Sequence, residues 1–256
     1  MNSQVLKHVR ENNPLIHNMT NRVVMNFTAN GLLAFGGSPI MADAEEEVAD
    51  IASLADGLLI NIGTLNANEL SAMFVAGQAA NKKGIPVVLD PVGVAASSFR
   101  STAVQRILNE IDVTAIKGNA GELAYLVDIP WETKGVESLD DGSTADIAKK
   151  IAQTYQTTAI VTGKTDVICT PNTNKHLINE TGHERLTKIT GAGCLLGSIV
   201  TACLTTDDPI EDQVYTALHF YGLAAEHAAK QAKGSGTFVA AFIDALSFEL
   251  DQLGAD

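Results

Sequence analysis

A chain of 256 residues, 46% hydrophobic and 18% charged, is long enough for a substantial core and too apolar to be disordered. Its formal net charge of −13 argues against non-specific binding to nucleic acid or to an anionic membrane, but leaves room for a phosphorylated ligand held by backbone N–H groups. Three scattered cysteines, Cys169, Cys194 and Cys203, lack metal-ligand spacing and read as free thiols of a reducing compartment.

The opening residues, MNSQVLKHVRENNPL, have no apolar core of signal-peptide type. The stretch VVMNFTANGLLAFGG is interrupted by Asn26, Thr28 and Asn30, and no run reaches the ~18 apolar residues of a membrane span. The expectation is a soluble, cytoplasmic protein. Residues 56–63, DGLLINIG, read as a buried strand closing on Gly63, and residues 68–84 as a helix stopped by Gly84. Residues 85–93, IPVVLDPVG, form a strand ending at Asp90-Pro91. Residues 113–123 give another strand that enters a helix near Asn119. Residues 157–170 read as two strands joined by a Gly-Lys-Thr-Asp turn, and 173–180 as an added edge strand. Beyond 191 the pattern is helical: CLLGSIVTACL, EDQVYTALHFYGLAAEHAAKQA and FVAAFIDALSFELDQL.

Strand and helix thus alternate through the middle of the chain, as in βαβ units around a mainly parallel sheet with helices on both faces. Aromatics are sparse, and Ala, Val, Ile and Leu suit helices packed on such a sheet. No Pro/Gly/Ser-rich linker and no repeat divides the sequence, so residues 1–256 are expected to form one α/β domain.

Open parallel sheets bind ligands beyond the carboxyl ends of their strands. The residues directly after the apolar runs are Gly63-Thr64, Asp90-Pro91-Val92-Gly93, Lys117-Gly118-Asn119 with Glu122 one turn on, Thr162-Gly163-Lys164, and Gly191-Ala192-Gly193-Cys194. Glycines, carboxylates, amides and cations on one rim make up an anion and Mg²⁺ site. Two tempting motifs fail. VTGKT lacks the earlier glycine of a P-loop, because residue 158 is threonine, and GAGCLLG is one residue too long for a dinucleotide fingerprint.

A Gly-x-Gly turn lets backbone approach a ligand closely, and the helix behind it offers unpaired N–H groups and a positive dipole end. Together Gly191–Gly193 form a hole for negative charge, such as a phosphoryl group in transfer. Cys194, in the first turn, is expected to have its thiolate favoured by the same dipole. Plainer readings stand beside these: Cys194 and Met41 as core, Asp90 as a turn cap, Lys164 as a solvated cation, and Asp43 with Glu45–Glu47 as complements to a helix N-terminus. Cys203, inside IVTACL, reads as core.

In order along the chain, PLIHNMTNRVVMNFTANGLLAFGGSPIMADAEEE (14–47), LLINIGTLN (58–66), GIPVVLDPVG (84–93), IKGNAGEL (116–123), IVTGKTD (160–166) and ITGAGCLLGS (189–198) resemble the hydroxyethylthiazole kinases of the ribokinase-like superfamily. The first and last of these motifs are specific to that family, and the resemblance runs over nearly the whole chain. It implies a ribokinase-like domain that phosphorylates the hydroxyl of 4-methyl-5-(2-hydroxyethyl)thiazole with ATP and Mg²⁺ in thiamine biosynthesis or salvage. It also implies a homotrimer with active sites at subunit interfaces. By motif, Met41 would line the thiazole pocket with Asn21 nearby, and Gly191 would contact the substrate. Lys117, Thr162, Asn119 and Gly193 would meet ATP, and Asp90 and Glu122 would organise Mg²⁺ and phosphates. Cys194 would be the catalytic group. Many superfamily relatives carry Gly-Ala-Gly-Asp there, with the aspartate as general base, whereas this sequence has the cysteine of the thiazole kinases. A hydroxymethylpyrimidine or pyridoxal kinase, and an ATP-dependent NAD(P)H-hydrate dehydratase, are the competing readings on the same scaffold.

Overall fold

The apolar runs LLIN and VVLD lie side by side as parallel strands, Leu58 opposite Val87 and Asn61 opposite Asp90. Every residue of both is buried, as continuous hydrophobic runs require when helices cover both faces of a sheet. This arrangement comes from a computed structural model that describes residues 1–130, 141–171, 173 and 175–254. Among them the chain runs α1 (Ser3–Asn12), β1 (Leu15–Met19), α2 (Met25–Phe35), β2 (Ser38–Ile40), α3 (Val48–Leu54) and β3 (Gly57–Asn61). It continues through α4 (Ala67–Lys83), β4 (Val87–Asp90), α5 (Ser98–Glu110), β5 (Ala115–Asn119), α6 (Ala120–Leu126) and α7 (Asp141–Tyr155). Next come β6 (Thr158–Thr162), β7 (Asp166–Cys169), β8 (His176–Asn179), α8 (Ala192–Cys203), α9 (Ile210–Gln231) and α10 (Ser235–Leu246).

The strands form one sheet in the order β2-β1-β3-β4-β5-β6-β7-β8. The pairs from β2 to β6 are parallel, and β6-β7 and β7-β8 are antiparallel. Side chains alternate along each strand and so feed two cores. Ile16, Leu59, Val88, Ala115 and Ile160 face α1, α2, α8, α9 and α10. Leu58, Ile60, Val87, Leu89, Ile116 and Val161 face α3 to α7.

The expected strands at 56–63, 85–93, 113–123 and 157–170 are all present. The edge strand expected within 173–180 occupies His176–Asn179, with Asn174 outside the described residues. The helix expected at 68–84 starts on an Asn66 cap that accepts from the Asn68 and Glu69 N–H groups, and it ends at Gly84 in the left-handed region. The sequence pattern does not separate α1, β1, α2 and β2. β2 has only three residues and includes Pro39, and the apolar pattern of α2 is interrupted by Asn26, Thr28 and Asn30. Glu45–Glu47 do precede α3, where acidic groups complement its N-terminus. Cys203 is fully buried in the core.

Candidate active site

The carboxyl ends of β1, β3, β4 and β5 meet the N-terminus of α8, and five of the expected site residues interlock there. Lys117, the middle residue of β5, is 4% exposed and donates from Nζ to Asp90 Oδ2 at 2.9 Å and to the Gly193 carbonyl oxygen at 2.9 Å. Asp90 ends β4 and is 1% exposed, and its Oδ2 also accepts from Asn61 Nδ2 at 3.0 Å. Asn61 Oδ1 accepts from Asn21 Nδ2 at 3.0 Å, and the same Asn21 nitrogen lies 3.3 Å from Cys194 Sγ. A polar chain therefore runs from Cys194 through Asn21, Asn61, Asp90 and Lys117 to Gly193, the neighbour of Cys194.

Gly191 opens α8 at φ 93°, a left-handed conformation, and a Cβ there would meet Val24 Cγ1 at 2.8 Å. No side chain caps α8, so its first N–H groups remain for a ligand. From beneath, the buried Tyr221 hydroxyl donates to the Ala192 carbonyl oxygen at 2.6 Å. Glu122 holds the next part of the rim. Its Oε1 accepts from the Gly93 N–H at 2.9 Å and its Oε2 from the Asn119 N–H at 3.0 Å, while Asn119 Oδ1 accepts from the Glu122 N–H. This reciprocal capping box starts α6 and gives Asn119 and Glu122 a structural duty as well as a place on the rim. The Thr162 hydroxyl donates to the Gly118 carbonyl at 3.2 Å, and Asp166 pins the adjoining turn by accepting from the Gly163 N–H.

Burial sets the charge states. Burial works against the Lys117 ammonium, but Asp90, Cys194 and Glu122 outweigh it and hold the lysine proton more firmly than usual. Burial lifts the Asp90 carboxyl, with Glu122 adding to the effect and Lys117 and Asn61 opposing it. With two donors on Oδ2, the pair is an ammonium and a carboxylate. For Cys194 the dipole expectation is overturned. Burial, then the Asp90 charge, push its thiol up, against Lys117 and the Asn61 and Asn21 amides. The resting group is a thiol.

Met41 lies immediately beyond β2, half-buried and in neither core cluster, which removes the reading of it as core. The adjacent Ala42 carbonyl accepts from the buried His17 ring at 2.8 Å. Met41 and Thr162 stand at opposite ends of the rim. Five strand spacings of about 4.8 Å separate β2 from β6, or roughly 24 Å. Cys194, Asp90 and Lys117 occupy the middle. Three residues of the site are not singled out by the sequence: Asn61, Tyr221 and Arg100. The Arg100 guanidinium donates to the carbonyls of Ile62, Gly63 and Val92 and so ties two rim loops together. Asn61 is within reach of such reasoning as the last polar residue of a buried strand, whereas the partners of Arg100 and Tyr221 are backbone atoms and leave no sequence signal.

The hydroxyethylthiazole kinase family model matches residues 6–252. The chain is 57% identical over 250 residues to hydroxyethylthiazole kinase 1 of Oceanobacillus iheyensis, covering 96% of each chain. It is similar to the structure of a hydroxyethylthiazole kinase from Pyrococcus horikoshii OT3, with 39% identity, a TM-score of 0.87 and coverage of 95% of this chain and 91% of that one. A ribokinase-like superfamily protein from Enterococcus faecalis shares the fold at 12% identity, with a TM-score of 0.67 over 96% of this chain and 94% of that one.

Proposed function

The chain belongs to the hydroxyethylthiazole kinase family, and on that premise we propose that it transfers the γ-phosphoryl group of ATP to the hydroxyl of 4-methyl-5-(2-hydroxyethyl)thiazole, as a step of thiamine biosynthesis or salvage. The observation that carries this reading is the Cys194–Asn21–Asn61–Asp90–Lys117 network at the mouth of α8. It stands between a thiazole side at β2 and β1 and a nucleotide side at β5 and β6.

Met41, Asn21 and Gly191 hold the thiazole alcohol. Thr162, Asn119 and Gly193 face the nucleotide, with Lys117 beneath it. Phosphoryl transfer is dominated by positioning and charge stabilisation. The first N–H groups of α8 receive the charge of the moving group, and Lys117 keeps the Gly193 carbonyl turned away from it. As the new phosphorus–oxygen bond forms and the bond to the ADP oxygen breaks, the alcohol proton passes to the ionised fraction of Cys194. Asp90 instead holds Lys117 and Asn61 through its Oδ2.

The donor set suits Mg²⁺ delivered with the nucleotide. Such an ion keeps several waters and binds one or two carboxylates besides phosphate oxygens. Asp90 and Glu122 are the carboxylates in position, and among the described residues no group of three or more His, Cys, Asp or Glu could hold an ion by itself. When bound, the ion would neutralise phosphate charge.

We read residues 1–256 as one kinase domain, and its assembly as a homotrimer with sites at the interfaces. Apolar side chains beside the thiazole end support the assembly: Val23, next to the Val24 that covers Gly191, is 70% exposed, and Leu33 of α2 is 56% exposed. No helix among the described residues is long and apolar enough to cross a membrane. Unpaired Cys169, Cys194 and Cys203 support a cytoplasmic setting.

The test is ADP release with ATP, Mg²⁺ and hydroxyethylthiazole, run beside hydroxymethylpyrimidine, with product masses measured. Phosphorylated thiazole is expected. Turnover with the pyrimidine alone would overturn the substrate, and ADP with free phosphate and repaired hydrated NADH would overturn the reaction.

A further inference from the structure

One backbone N–H fixes the sense of every polar contact around Asn61. The Gly63 N–H can only donate, and it reaches Asn61 Oδ1 at 3.0 Å. That atom is therefore the amide oxygen, and the other end of the side chain is the NH₂ group. The NH₂ group faces Asp90 Oδ2 at 3.0 Å, an oxygen that Lys117 also approaches. The amide oxygen in turn takes an N–H from Asn21 Nδ2. Asn21 Nδ2 carries two hydrogens, and the second reaches Cys194 Sγ at 3.3 Å. Asn61 is 1% exposed, so neither of its ends exchanges these partners for water. Gly63 is required twice: it supplies the N–H, and a Cβ on it would meet Asn21 Nδ2 at 2.6 Å.

We propose that Asn61 is a positioning residue of the phosphoryl-transfer site, holding the Asn21 amide with its N–H toward Cys194 and fixing the orientation of the Asp90 carboxylate. Resting on the function proposed above, this assigns Asn61 to the link between the substrate side and the phosphate side. Its two ends serve different halves of the reaction. The oxygen anchors Asn21, which meets the thiazole alcohol and the thiol. The NH₂ group steadies Asp90, and through it Lys117 and the Gly193 carbonyl.

Two substitutions separate the ends. Asn61→Asp keeps an oxygen for Gly63 and Asn21 but replaces the donor toward Asp90 with a second carboxylate. It is expected to lower kcat about tenfold or more while KM for the thiazole alcohol stays within about twofold, because a charge-assisted bond is lost and the anchor is kept. Asn61→Ala removes both ends. It is expected to lower kcat similarly and also to raise KM for the thiazole about fivefold, more than KM for ATP, because Asn21 on the thiazole side loses its anchor outright.

A readout independent of turnover is the rate at which iodoacetamide captures Cys194 at one fixed pH, with the mass of its peptide measured. Capture should slow about threefold or more in both variants, since one adds a carboxylate and the other removes the Asn61 amide and frees the Asn21 N–H. Circular dichroism reports folding, and Asn61→Ser, expected to behave as Asn61→Ala, serves if that variant does not fold. Folded variants with unchanged kcat and capture rates would overturn the proposal. So would a fall in kcat with both KM values altered alike and capture unmoved, the mark of a merely structural residue. If the parent protein leaves the thiazole alcohol untouched, the functional reading fails, and the capture rates still report on Asn61.

Discussion

The Tyr221 hydroxyl, on α9, donates to the carbonyl oxygen of Ala192, the first residue of α8, at 2.6 Å. Burial raises this phenol well above its ordinary range, with Cys194 adding to the effect, so it remains a neutral donor at any working pH. The turn that approaches the ligand is thus braced from the core side. Tyr221→Phe leaves the Ala192 carbonyl without this donor, at a cost of about 1–3 kcal/mol. The melting temperature should fall by roughly 3–10 °C, measured by calorimetry, for a chain of this size. Turnover should fall less than in any rim variant, because the hydroxyl bonds a backbone carbonyl and the ring packs on Phe242 in the core.

Cys194→Ala should fold normally, since the side chain is partly exposed and small. Turnover should drop about a hundredfold or more, the range of a lost general base. KM for ATP should not change. Equal turnover in a steady-state assay would remove the thiol from the proton transfer.

Burial and Asp90 hold the Cys194 thiol above its usual range, so the thiolate, the proposed proton acceptor, becomes more abundant as pH rises through the alkaline region. Accordingly kcat should climb with pH across that region, and Cys194→Ala should flatten the profile. A parent profile that falls with increasing pH would contradict the assigned role.

Lys117 and Asp90 are 4% and 1% exposed, so breaking the pair strands a charge in the core. Lys117→Met alone should cost about 3–5 kcal/mol in urea unfolding. The double variant Lys117→Met/Asp90→Asn should recover most of that stability and none of the activity. Full loss in both proteins would mean that the lysine acts through packing.

His17 is wholly buried and its ring meets the Ala42 carbonyl, while burial lowers its affinity for a proton. The unfolded chain then binds the proton more readily than the folded one. Stability is therefore fully present above the ordinary histidine value of 6.5 and is lost as pH falls below it toward the lowered folded value. Urea midpoints should decline between about pH 7 and pH 5, and His17→Gln should reduce the slope.

Local chemistry is readable from the sequence wherever it lies on the chain next to a strand end. Gly63, Asp90, Lys117 and Thr162 stand directly after or at the close of an apolar run, and the parallel fold sends those positions to one rim, whereas Gly191 follows the short 3-10 turn Glu184–Lys188 and reaches the rim as the start of α8. The work of each side chain there depends on partners far away in sequence. By sequence Lys117 reads as a free cation for ATP, yet it is held by a carboxylate 27 residues earlier and a carbonyl 76 residues later. Cys194 reads as a thiol activated by a dipole, a local argument that burial and Asp90 defeat. The short strand β2 and the helix α2 are lost because three residues carry no period to read, and Asn26, Thr28 and Asn30 interrupt the apolar pattern of α2.

The roughly 24 Å of sheet edge between Met41 and Thr162 carries a kinetic consequence. On the proposed assignment, two reactants that enter from opposite ends and meet at α8 must be present together, and no side chain needs to carry the group between them. Initial rates measured against both substrates should give intersecting double-reciprocal lines, the pattern of a ternary complex. Parallel lines, the mark of a phosphorylated enzyme that shuttles between half-reactions, should not appear.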